Sequence, residues 1–238
     1  AIGRALMARP RLLLLDEPFS NLDADLRARV RVEVREVLSR AGVTVAFVTH
    51  DQEEALFMGD KVGVMNAGRL EQIDAPEVVF HRPATTFVAQ FVGTADFLQG
   101  QVVDKTVLTE IGQLPLHVEL PQGKAVTVMV RPDFISLQPS PEGAGVIVDR
   151  VFQGIHYLYR IRLPSGATIR SLQHHNHDYP VGLRVALMTN PGHRVAYFVD
   201  ERQAGGSVLG SGHLQSETRD EMEGHDEGVS VSKTRGAK

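Results

Sequence analysis

The chain, 238 residues long, has no cysteine. Disulfide frameworks and thiol chemistry are thereby excluded, and a reducing interior fits. Long apolar runs are missing too: nothing approaches the ~20 consecutive apolar residues that a membrane-crossing helix needs. No secretory-signal layout opens the sequence, so a membrane role would come through a membrane-spanning partner. A phosphate-cradling G-x-x-x-x-G-K-[ST] loop is absent as well. The one Gly-Lys pair, Gly123-Lys124, runs into Ala125 and lacks the leading glycine. The formal charge of −4 argues against general adhesion to polyanions, nucleic acid included. What the sequence does have is apolar content, 42%, sufficient for packed cores in one large or two modest domains.

The stretch that organises the rest is Leu12-Leu13-Leu14-Leu15-Asp16-Glu17-Pro18. A short apolar run ending in two acids reads as a buried strand of a parallel sheet. Ligand chemistry in open α/β sheets sits at the carboxyl ends of strands, which puts Asp16 and Glu17 at the rim. Asp16 is suited to hold Mg²⁺, a hard cation that takes oxygen ligands, usually through water. Glu17 is suited to orient or deprotonate an attacking water in phosphoryl transfer. A solvated strand end or a helix-capping pair would look the same in isolation.

Around that strand the periodicity predicts a helix from Ala1 to about Arg9, ended by Pro10, and a charged helix from Asp23 or Ala24 to about Arg40. Leu22, Leu26, Val30, Val34, Val37 and Leu38 form the core face of that second helix, and Gly42 is its left-handed stop. Ser20, Asn21 and Asp23 are residue types that favour a turn and an N-cap. Val43–Val48 reads as a second buried strand, with His50 just past its end and Thr49-x-x-Gln52 at capping-box spacing for the next helix. A hairpin turns at Asn66-Ala67-Gly68-Arg69, and Thr85–Val92 is a short helix. From about Asp96 short strand-like runs separated by Gly and Pro take over, among them Leu116–Leu120, Val126–Val130, Tyr157–Leu163 and Arg194–Val199. Such spacing suggests a small β barrel.

Taken together, these segments resemble the ATP-binding subunits of ABC transporters. Leu12–Glu17 is similar to their Walker B strand, Ser20–Asp23 to their D-loop and His50 to their switch histidine. Thr49-His50-Asp51-Gln52-Glu53-Glu54-Ala55 has the form of the subfamily that imports sugars, ferric iron, sulfate and polyamines. Val130-Arg131-Pro132-Asp133 and Gly154–Leu163 resemble that subfamily's accessory β domain, of oligonucleotide/oligosaccharide-binding (OB) type. The resemblance runs from Ala1 to about Asp200. It implies the carboxyl-terminal part of an α/β P-loop NTPase domain over 1–95 and an OB-like β barrel over 96–202. The Gly/Ser-rich stretch 203–238 is expected to be a disordered tail.

The resemblance further implies ATP and Mg²⁺ as ligands, with Glu17 and His50 catalytic and His50 sensing the γ-phosphate. Asp16 would be the Mg²⁺ ligand and, with Ser20 and Asp23, part of the nucleotide site. Two such subunits would pair as a homodimer on transmembrane permease subunits at the cytoplasmic face of the membrane, served indirectly by a solute-binding protein, with no nucleic acid involved. Val151-Phe152-x-Gly154-x-x-Tyr157 looks most like ferric-iron importers. Neither the phosphate loop nor an LSGGQ signature occurs, so the sequence reads as the carboxyl-terminal part of a longer ATPase. By itself it is expected neither to bind nor to hydrolyse ATP appreciably. The rival reading is a non-catalytic regulatory or interaction module.

Two clusters point elsewhere and are weaker. His174-His175-Asn176-His177-Asp178 matches no zinc or facial-triad spacing and falls where a polar loop belongs. Arg27, Arg29, Arg31 and Arg35, interleaved with Glu33 and Glu36, read as a solvated helix face rather than a nucleic-acid patch.

Overall fold

A computed structural model describes residues 2–190, 195–204 and 228–232. The chain divides into two compact units, residues 1–80 with 208–238, and residues 81–207. The boundary expected near residue 95 falls inside the second of these.

The first unit runs α1 (Ile2–Met7), β1 (Leu12–Asp16), α2 (Ala24–Ala41), β2 (Thr44–Thr49), α3 (Gln52–Met58), β3 (Val62–Asn66), β4 (Arg69–Asp74) and α4 (Pro76–His81), the last crossing the division by one residue. Gly228–Ser232, numbered β16 in chain order, completes its five-stranded sheet, ordered β1-β2-β16-β3-β4. β1 and β2 pair in parallel, Leu12 opposite Thr44 through Asp16 opposite Val48, as the apolar runs and the intervening helix require. α2 begins where Asp23 accepts the Leu26 N–H and ends where Gly42, at φ 63°, takes the left-handed stop. Ala67 and Gly68, at φ 46° and 73°, make the tight turn between β3 and β4.

Three expectations for this unit change. β1 is not buried on both faces: Leu13 is 8% exposed, but Leu12 and Leu14 stand 52% and 70% exposed, because among the described residues no helix covers that face. On α2 only Leu38 is buried, while Leu26 and Val37 are exposed. The stretch 203–238 was expected to be a disordered tail; residues 205–227 and 233–238 lie outside the described residues, whereas β16 pairs antiparallel with both β2 and β3.

The second unit contains α5 (Thr86–Phe91) and strands β5 (Asp96–Val103), β6 (Thr106–Thr109), β7 (Gly112–Pro115), β8 (Ala125–Val130), β9 (Ile135–Pro139), β10 (Gly145–Phe152), β11 (His156–Arg162), β12 (Thr168–His174), β13 (Arg184–Thr189), β14 (Ala196–Val199) and β15 (Arg202–Gln203). They form two sheets, β12-β11-β10-β13-β9 and β15-β14-β8-β5-β6-β7. Leu98, Val128, Ile147, Tyr159, Ile161 and Val185 from both sheets share one core. Tyr159 and Ile161 are buried along one face of β11, and Leu163, just past its end, is buried too. The expected strand Leu116–Leu120 is not one; Gly112, at φ 115°, reverses the chain earlier and puts β7 before it. Of the run Arg194–Val199, Arg194 lies outside the described residues. Arg131, 1% exposed, donates to the Ala89 and Thr94 carbonyls and so satisfies the end of α5. Burial pulls its guanidinium down to about 10.

Candidate functional site

Because β1 and β2 are parallel neighbours, their carboxyl ends meet on one edge, and the acids of one strand face the histidine of the other. Glu17 follows β1 directly and its N–H donates to Val48 O at 2.9 Å, which continues the ladder one residue past the strand. Its backbone then leaves in the left-handed region, φ 40°, a conformation uncommon for a residue with a side chain. That turn brings Glu17 Oε1 to 2.9 Å from His50 Nδ1. The pair is accessible, with 45% of the Glu17 and 68% of the His50 side chain exposed. Asp16 stands beside it, exposed. Its hard oxygen donors at an accessible edge fit Mg²⁺ held partly through water.

The His50 pKa is raised, chiefly by its hydrogen bond to Glu17 and that carboxylate's charge, with further support from Asp51 and Glu54. The geometry also sets the proton positions. A carboxylate only accepts, so the ring donates from Nδ1, and Nε2 donates to a second acceptor only when the ring is the imidazolium. The raised pKa favours that doubly protonated form.

Ser20 and Asp23 do local structural work. The Ser20 hydroxyl donates to Glu17 O at 3.0 Å, and Asp23 Oδ1 accepts from Leu26 N at 2.9 Å. Neither side chain reaches the Glu17–His50 contact, but the turn they build carries Glu17 into α2. The N-cap of α3 is Asp51, which accepts from Glu54 N, rather than Thr49. Thr49 instead accepts the Asp51 N–H and donates to Glu54.

The chain spans about half the length of the curated relatives it matches. It is 44% identical over 168 residues to the Fe(3+) ions import ATP-binding protein FbpC of Streptomyces coelicolor, covering 70% of this chain and 48% of that one. It is 37% identical over 207 residues to the spermidine/putrescine import ATP-binding protein PotA of Lawsonia intracellularis, covering 79% and 56% respectively. The TOBE domain model matches residues 128–196, most of the two-sheet unit. The chain belongs with the ATP-binding subunits of ABC importers that carry a TOBE domain. A much looser structural likeness, TM-score 0.36 at 16% identity over 44% of this chain and 95% of the other, runs to the cytoplasmic molybdate-binding protein ModG and is too low to argue from.

Of the α2 arginines, Arg29 and Arg35 are exposed, as a solvated face requires, whereas Arg27 and Arg31 are partly covered and turn toward α3. Arg27 pairs with Asp51 at 3.5 Å and approaches Glu54 at 4.0 Å, Arg31 pairs with Glu53 at 3.7 Å, and Arg35 lies over the Phe57 ring at 5.1 Å. Their spacing of four puts all three on one side of the helix, and Glu53, Glu54 and Phe57 answer them. The signal was in the sequence, as acids close behind His50. In the second unit the His174 and His175 rings lie 4.2 Å apart while His177 packs on Tyr179, and among the described residues no group of three or more His, Cys, Asp or Glu side chains is placed to hold a metal.

Proposed function

We propose that this chain carries the hydrolytic edge and the TOBE domain of an importer ATPase, a P-loop NTPase that couples ATP hydrolysis to uptake of a small polar or ionic solute. One observation carries the reading: Glu17 and His50, from adjacent parallel strand ends, meet at 2.9 Å beside Asp16. Asp16 would hold Mg²⁺, which when bound neutralises charge on the phosphate oxygens. Glu17 takes the proton of an attacking water, and its strained backbone and the His50 contact fix where the carboxylate points. His50, protonated, donates from Nε2 to a terminal phosphate oxygen while Nδ1 stays on Glu17. Ser20 and Asp23 shape the turn that reaches a second subunit's nucleotide.

The partners proposed with this activity are a second copy, the permease subunits at the cytoplasmic face and, through them, a solute-binding protein. Ferric iron is the proposed solute, on the Val151–Tyr157 segment and the 44% identity to FbpC; polyamines come next.

The decisive test joins this chain to the phosphate-loop portion of the Streptomyces FbpC sequence and measures ATP turnover. The chain alone should show none above background, the chimera should turn over, and Glu17→Gln in the chimera should lower kcat by at least ~100-fold. A folded chimera whose turnover is indifferent to Glu17→Gln would refute the hydrolytic role and leave the regulatory one.

A further inference from the structure

Around the Glu17–His50 contact runs a second shell of contacts that the chemistry above does not use. The Arg27 guanidinium reaches two loops at once. Its Nη2 donates to Leu22 O at 2.8 Å, on the turn that starts at Glu17. Its Nη1 lies 3.5 Å from Asp51, and its Nε, buried and without a hydrogen bond, faces Glu54 Oε1 at 4.0 Å. Glu54, 2% exposed, spends its other oxygen on the Thr49 hydroxyl at 2.7 Å. That hydroxyl in turn accepts Asp51 N at 3.0 Å. His50 therefore sits between Thr49, whose side chain is tied to buried Glu54, and Asp51, whose backbone N–H is tied to that Thr49 hydroxyl.

We propose that Arg27, acting through Glu54 and Thr49, is a positioning residue that holds the Glu17 turn and the His50 junction in one register, so that the 2.9 Å contact between them persists. An ion pair with one member buried, as Glu54 is, adds little net stability, because desolvation offsets the attraction; its more defensible use is to specify one arrangement among several. Arg suits this better than Lys, since its planar fork faces the Leu22 carbonyl and the Asp51 and Glu54 carboxylates from one fixed position. The role of the strut in catalysis rests on the hydrolytic reading, but its effect on His50 does not.

The test follows the His50 ring by NMR titration in the full chain, free of nucleotide. The charged groups facing the ring are Glu17 from the end of β1, and Asp51 and Glu54 from α3. Arg27→Met removes a cation, which by charge alone would raise the His50 pKa. If Arg27 positions, the Glu17 contact loosens and the pKa falls toward the ordinary value of about 6.5. The two effects have opposite signs. Arg27→Lys keeps the charge but not the fork, and should produce the same fall at smaller size. It decides the matter if Arg27→Met does not fold. A His50 pKa that is unchanged or raised in the folded variants overturns the strut. A fall in both, together with a chimera that fails to hydrolyse ATP, leaves the strut standing and removes only its catalytic purpose.

Discussion

Glu17 combines the proposed chemistry and the backbone strain in one residue. Its φ of 40° costs about 1–3 kcal/mol for a residue with a Cβ. Glu17→Gly should therefore raise the unfolding free energy by about 1 kcal/mol in denaturant titration, while removing the carboxylate the site depends on. A loss of stability instead would mean that the His50 contact outweighs the strain. The sign of the pH dependence also follows from this contact. The His50 pKa is raised in the folded chain, so the imidazolium–carboxylate interaction contributes fully below about 6.5 and is lost as pH rises through the higher folded value. Glu17→Gln should bring the His50 titration midpoint down, read by the same ring resonances. The effect on overall stability is small, because both side chains are largely solvated.

At the scale of elements, most of the first unit was legible because its signals are local. The β1 run, the Asp23 cap and the Gly42 stop all depend on residues within a turn or two of one another, and each lies where periodicity put it. Gly42→Ala should cost about 1 kcal/mol, since the left-handed stop at φ 63° disfavours a Cβ. What was not legible depends on partners distant in sequence: β16, which reaches β2 and β3 from far along the chain. Leu116–Leu120 looked like a strand by composition, but the earlier reversal at Gly112 used up the pairing. In the second unit, Arg131→Met should lower stability by about 2–4 kcal/mol, because it strands the Ala89 and Thr94 carbonyls without their donor. Gly145→Ala should cost about 1–3 kcal/mol, read in a thermal melt, as a Cβ there collides with the Ile161 and Leu187 side chains.

For the molecule as a whole, the two units differ in how they are knit. Residues 81–207 are contiguous, whereas the sheet of the first unit takes β16 from far along the chain and seats it between β2 and β3. Deleting residues 228–232 should leave those two strands with unpaired backbone groups. Sedimentation should then show concentration-dependent self-association beyond that of the full chain. The same arrangement fixes an order of events during synthesis. At ~5–20 residues per second, β2 waits on the order of ten seconds or more for the strand that fills the slot beside it. The TOBE-bearing unit is fully translated before then, so on the ribosome the second unit is free to fold ahead of the first, and the nascent Glu17–His50 edge is built on a sheet still open on one side.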